Sequence, residues 1–150
     1  MLPNALPSEM IAIVGVIDPD ALTVGTHDSD WADLSAFGQI MAIAETGTMG
    51  VSSTFDAKLQ QATNAAGAGA KDIAGKAITQ IVQGGGGSDE QAIINVRAEE
   101  LDLDGGFTHV RLRITIGAAN SDGAGLLLGV FPRYAPASDS DLSSVTQSVA

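Results

Sequence analysis

Cysteine is absent from the chain, which excludes disulfide frameworks, thiolate zinc sites and cysteine nucleophiles. Basic residues are scarce: seven Lys and Arg stand against 18 Asp and Glu, a formal net charge of −11. A surface this acidic repels phosphate backbones and anionic lipid head groups, which argues against nucleic-acid and membrane partners. Aromatic residues make up only 4% of the 150 positions, too few to line an aromatic ligand cleft and fill a core as well. Long apolar runs are missing too. The longest, Met10–Ile17 and Ala124–Phe131, span eight residues each, far short of the roughly 20 that a bilayer-spanning helix needs. No Lys or Arg precedes Lys58, so the charged start of a secretory signal is missing and the chain is expected to be soluble as made.

Hydrophobic residues nevertheless reach 45%, charged ones only 17%, and 18 positions are glycine. That balance is too apolar for disorder and too rich in turns for a helix bundle, and the length suits one domain. An extended arm over residues 1–9, carrying Pro3 and Pro7, leads into a domain at 10–136, and a polar, Ser-rich tail follows at 137–150. Met10–Ile17 is rich in β-branched residues and closes at Asp18-Pro19-Asp20, a turn signal. Ala21–Gly25 reads as a short extended piece and His27–Asp33 as a polar loop. Gly38–Ala44 has the pattern of a strand buried on both faces, whereas Val51–Gln61 alternates and sends Val51, Ser53, Phe55, Ala57 and Leu59 one way.

Thr63–Ala70 is a loop of small residues, and Lys71–Gln83 fits two short strands or a helical turn. Ile94, Val96 and Ala98 alternate within Gln91–Leu103, and Val110, Leu112, Ile114 and Ile116 face inward opposite His109, Arg111, Arg113 and Thr115. Around Asp104-Gly105-Gly106 these two runs read as a hairpin. Asn120–Gly123 turns the chain into a strand at Ala124–Phe131, which Pro132 and Pro136 end, and Val145–Val149 offers a last edge strand. About eight short strands without a long amphipathic helix predict an all-β fold, an antiparallel β-sandwich of jelly-roll type.

The search for reactive constellations assigns no catalytic residue, no cofactor and no metal ligand. His27 and His109 are the two imidazoles; His109 sits on a solvated strand face, and His27 lies near Asp28 and Asp30 without a second imidazole. No Gly-x-Ser-x-Gly elbow and no His-Glu-x-x-His motif is present. Carboxylates pair at Asp18/Asp20, Asp28/Asp30/Asp33, Glu99/Glu100 and Asp102/Asp104. Hard cations favour such oxygens, yet none has the spacing of a calcium loop, and Asp is common in turns for its own backbone hydrogen bonds. Gly84–Gly87 precedes Ser88-Asp89-Glu90, whose charges repel phosphate, so it reads as a loop. Arg97, Arg111 and Arg113 fall on the outward faces of the two hairpin runs, either as a charged face that blocks aggregation or as a patch for the carboxylates of a neighbouring subunit.

Asp18-Pro19-Asp20 followed by Gly25-Thr26 and Trp31, the stretches Asp56–Ile81 and Ala92–Asp102, and GFTHVRLRITIGAA at Gly106–Ala119 together resemble small structural proteins of tailed bacteriophages and prophage-like particles. The likeness runs from about Ile17 to Ala135 and contains no catalytic motif. It implies a non-enzymatic virion component on the outer surface of the capsid: a decoration (cement) protein that binds the major capsid protein and copies of itself, as a trimer ahead of a pentamer. A head turret, spike or tail protein is the alternative within the particle. Outside it, the alternative is a calcium- or carbohydrate-binding β-sandwich module, its calcium ligands drawn from Asp28, Asp30 and Asp33 or from Asp102 and Asp104.

Overall fold

The computed structural model describes residues 4–149. After a single helical turn, α1 (Pro7–Met10), come ten strands: β1 (Ile11–Leu22), β2 (Gly25–Asp28), β3 (Ala32–Asp33), β4 (Phe37–Met49), β5 (Thr54–Ala62), β6 (Lys71–Ala77), β7 (Ile81–Val82), β8 (Gln91–Arg97), β9 (His109–Gly117) and β10 (Ser121–Pro132). They form two antiparallel sheets. Sheet A has the order β1-β10-β4-β8 and sheet B the order β2-β9-β5-β6, with β3 added to β9 and β7 to β5. With the two-residue strands set aside, the eight long strands trace the two four-stranded sheets of a jelly roll. In that topology β5 and β6 are neighbours in one sheet, and every other pair of consecutive long strands changes sheet.

The core fills unequally from the two sides. Sheet B contributes large side chains, with Phe55, Leu59, Val110, Leu112, Ile114 and Ile116 all buried. Sheet A contributes many small ones: Ala12, Ala42 and Ala44 point inward, as do Gly125 and Gly129 of β10. A Cβ on Gly125 would lie 2.6 Å from Leu112 Cδ2, and one on Gly129 would lie 2.7 Å from the Phe37 ring. Leu112 of sheet B therefore enters space that sheet A leaves empty at Gly125, and Phe37 of β4 covers Gly129 within sheet A, as close packing requires. This is how a chain with few aromatics closes its core. Leu34, Phe37, Leu101, Phe107 and Ala137 seal one end. At the other, buried Ser121 donates to Ser53 Oγ at 2.6 Å, and Ser53 in turn donates to the carbonyl of Ala119 at 2.9 Å.

The sandwich and the inward phase of Val110–Ile116 are as the pattern predicts. The hairpin is not. β8 pairs with β4 in sheet A, and β9 pairs with β5 in sheet B. Residues 98–108 cross between the sheets, anchored by buried Leu101 and Phe107, so Asp104-Gly105-Gly106 bends a crossover. Alternation fixes which way side chains face and carries no information on which strand lies alongside.

Asp18-Pro19-Asp20 is likewise no terminus: β1 runs through it, its register slipping between Ile17↔Gly125 and Asp20↔Gly123. The bulge accommodates Pro19 because β1 is an edge strand with nothing to receive the missing N–H. His27 stands in β2 rather than in a loop. Gly38–Ala44 is buried on one face only, with Met41 and Ile43 half-buried on the other. Val51 is 83% exposed, in a turn that precedes β5.

Lys71–Gln83 resolves into β6 and β7, both paired with β5. The turn before β10 lies at 118–120, with Ala118 at φ +67°, and the strand begins at Ser121. Of the expected extended arm, residues 1–3 lie outside the described residues. Residues 7–10 are helical, because Pro7 suits a first helical position and the Glu9 carboxylate accepts the Leu6 N–H at 2.7 Å. Val145–Val149 forms no strand; the tail instead makes a 3-10 turn at Ala137–Ser140 and docks on β1.

Replacing Phe55 by Ala removes a fully buried ring and is expected to lower the unfolding free energy by about 3–5 kcal/mol. Val51→Ala is expected to change it by less than about 0.5 kcal/mol. Urea titrations of the two variants check this; a large loss at Val51 would contradict the placement of that turn.

Candidate interaction surfaces

The two broad outer faces of the sandwich differ in chemistry. On sheet B, adjacent rows of β2, β9, β5 and β6 bring together charges far apart in sequence. Arg113 grips Asp28 with two hydrogen bonds, Nε to Oδ1 at 2.6 Å and Nη2 to Oδ2 at 2.7 Å. Arg111 Nη1 approaches the same carboxylate at 3.0 Å, donates through Nε and Nη2 to Gln60 Oε1, and lies 4.5 Å from the centre of the Trp31 ring. Gln60 passes the chain on to Asp72, which also takes a 2.7 Å hydrogen bond from Lys58.

The Arg113 hydrogen bonds, with the Arg111 charge beside them, hold Asp28 below the usual carboxylate range in spite of its partial burial. Hydrogen bonds from Lys58 and then Gln60 do the same for Asp72. Burial pushes Arg111 down, and the Asp28 hydrogen bond raises Arg113.

Of the three arginines expected to form one patch, Arg111 and Arg113 do lie together, but their carboxylate partner is Asp28 of the same chain. Arg97 belongs to sheet A and pairs with Glu99 at 3.2 Å. The carboxylates weighed as calcium ligands are dispersed or engaged. Asp28 is held by two arginines, Asp33 accepts the Ser35 N–H, and Asp102 is bound by Lys71. Among the described residues no group of three His, Asp or Glu side chains converges on a point. His27 Nε2 lies 2.8 Å from the Thr23 carbonyl and His109 Nδ1 lies 2.9 Å from Thr108 Oγ1. The four glycines sit between β7 and β8, where Thr46 Oγ1 donates to the Gly87 carbonyl.

The outer face of sheet A is apolar. β10 shows why: its inward positions 123, 125 and 129 are glycine, while Ala124, Leu126, Leu128 and Val130 turn outward. The registers place Ile13 and Met41 on either side of Leu128, and Val16 and Ile43 on either side of Leu126, with Ile93 of β8 beyond Ile43. Gln39, Arg97, Glu45 and Gln91 close the rows at their polar ends. A groove of about 740 Å³ opens at one end of this face, between α1 and residues 130–136, lined by Pro7, Met10, Ile11, Val130, Phe131 and Pro136. Phe131 and Tyr134 project beside it, 54% and 87% exposed. This face was missed in the sequence because Ala124–Phe131 is apolar at both phases. The available signal was glycine at every inward position but Leu127.

No protein-family model matches the chain, and no curated protein matches it in sequence. Among solved structures it is similar to one of broad bean stain virus, with 10% identity over 90% of this chain and 93% of that one and a TM-score of 0.49. It is also similar to one of an empty cowpea mosaic virus-like particle, with 12% identity over 87% and 85% and a TM-score of 0.43. A third similar structure is a mitogen from Yersinia pseudotuberculosis, with 13% identity over 80% and 85% and a TM-score of 0.38. At these identities and scores neither an activity nor a partner follows from them.

A carboxylate whose pKa is lower folded than unfolded adds stability that is complete above its unfolded value, about 3.9 for Asp. That stability is lost as the pH falls through the depressed folded value. Asp28 and Asp72 both have this sign. Unfolding free energy is therefore expected to hold from neutral pH to about 5 and to fall steeply below about 4. Asp28→Asn is expected to lower it by about 1–2 kcal/mol at neutral pH and to flatten the acid limb. Denaturant titrations across pH check this, and an acid limb unchanged by the substitution would contradict it.

Proposed function

We propose that the protein is a non-enzymatic bacteriophage virion structural protein, a decoration protein that seats on the outer surface of the capsid and clamps neighbouring shell subunits. The observation that carries this reading is the outward apolar face of sheet A, on which Ile13, Val16, Met41, Ile43, Leu126 and Leu128 form one continuous surface. An exposed apolar surface rimmed by polar residues is the mark of an interaction site. Its breadth across four strands suits another protein's surface rather than a small ligand, which favours a concave pocket. A net charge of −11 disfavours an anionic membrane as the occupant. The resemblance of Asp56–Ile81, Ala92–Asp102 and Gly106–Ala119 to phage structural proteins supplies the kind of partner, the major capsid protein. Bound only to the assembled lattice, many copies shift the equilibrium toward the intact shell by mass action.

Heads lacking the protein are expected to lose their DNA at a lower temperature than complete heads. The double variant Leu126→Lys, Leu128→Lys is expected to fold and to fail to attach to such heads, as read by co-sedimentation. Heads that withstand heating equally well without it would overturn the cement role. Labelling confined to a turret, spike or tail would move the protein to that station.

A further inference from the structure

The apolar outer face of sheet A ends in a notch. The register sets Ala124 of β10 beside Glu45 of β4, and Asp122 is the next outward residue along β10. β4 carries glycine at position 47, where a Cβ would lie 2.9 Å from Asp122 Cβ, so the missing side chain keeps the space beside that carboxylate open. On the other side of β10, the bulge of β1 brings up Pro19 and Asp20. The result is a concavity of about 390 Å³ lined by Pro19, Asp20, Glu45, Gly47, Asp122 and Ala124. A smaller dip of about 210 Å³ shares Glu45 and Ala124 with it and runs into the apolar rows at Val16, Ile43 and Leu126.

The chain supplies no cation for these carboxylates. Of its seven Lys and Arg, Lys58, Lys71, Lys76, Arg97, Arg111 and Arg113 are held in ion pairs elsewhere. The seventh, Arg133, follows the opposite end of β10. Among the described residues no ion pair involves Asp20, Glu45 or Asp122, and the one hydrogen bond to their side chains is from the Ala21 N–H to Asp20 Oδ1. Nor do they converge: among the described residues no three acidic or imidazole side chains are placed to hold a metal ion. An apolar entry leading to separated carboxylates suits a long cationic side chain, whose stem packs on apolar surface while its head stays in polar surroundings.

We propose that this notch receives an arginine side chain of the shell protein, its stem along Val16, Ala124 and Leu126 and its guanidinium between Glu45 and Asp122. The inference rests on the shell-binding reading of sheet A and adds the chemistry of the partner: an apolar surface with a basic residue at one margin. Arginine fits better than lysine because the two carboxylates stand on different strands. A planar fork with five donors serves both at once, whereas an ammonium is a single point of charge. The notch lies at one end of the apolar rows, so the pair also fixes which way round the protein sits. Apolar contact alone is indifferent to that choice, and a charge placed at one margin is not.

Co-sedimentation with heads lacking the protein, across a range of salt, tests it. Glu45→Gln with Asp122→Asn keeps the shape of two exposed side chains and removes both charges. Attachment is expected to weaken about tenfold at low salt and to lose most of its salt dependence. Asp104→Asn removes an exposed charge of the crossover, away from this face, and is expected to change neither. Phenylglyoxal, which blocks arginine, is expected to weaken the attachment of the unsubstituted protein to treated heads and to have little further effect on the double variant. Acetylating the lysines of the heads is expected to leave attachment intact. A double variant that attaches like the unsubstituted protein, or sensitivity to acetylation in place of phenylglyoxal, would overturn the proposal. The shell-binding reading would survive either result if Leu126→Lys, Leu128→Lys still failed to attach; no attachment by the unsubstituted protein would overturn both.

Discussion

Close approach of the two sheets at β10 is the constraint on which the rest of the molecule depends. Because Gly125 leaves no side chain between the layers, Leu112 of sheet B enters the space a Cβ would occupy, and at Gly129 the ring of Phe37, from neighbouring β4, fills the same kind of space. The core is then completed largely from sheet B, and of the apolar side chains of β10 only Leu127 goes inside, leaving no place there for Leu126, Leu128 and Val130. Period-two geometry sends them to the other face. Core packing and the exposed apolar surface are two consequences of one phase choice. A change that filled the glycine positions would push the sheets apart before it altered the outer face.

The opposite face shows the complementary solution. Sheet B keeps its outer charges in register, so that Arg111, Arg113, Asp28, Gln60, Asp72 and Lys58 satisfy one another. Charges already paired within the chain leave that face little to offer a partner beyond solubility, which the excess of carboxylates reinforces. The sandwich is thus two-sided: one broad surface is self-sufficient, and the other leaves apolar side chains half in water.

Much of this was legible in the residues, and the parts that were not share a cause. The phase of β9 was readable because Val110, Leu112, Ile114 and Ile116 alternate with polar partners, so only one assignment buries the apolar set. The failed hairpin shows the limit: β8 and β9 have the right local pattern, but jelly-roll topology sends consecutive strands to different sheets, and no short-range signal encodes that. Asp18-Pro19-Asp20 was misread because a turn and an edge bulge call for the same residues. Asp28 and Arg113 stand 85 positions apart, so their pairing was invisible until β2 lay on β9. The outer face of sheet A was hidden in a run apolar at every position except its glycines.

Methionine oxidation reports most directly on whether that outer face is buried when the protein is at work. Met41 lies on it, half-buried in the free chain, and Met49 lies in the core as an internal reference. Oxidised as the free protein and again after mixing with the phage heads proposed as its partner, the chain should show Met41 protected in the mixture and Met49 slow in both states. Equal oxidation of Met41 in the two states would mean that the apolar face stays in water after assembly, and would contradict the account.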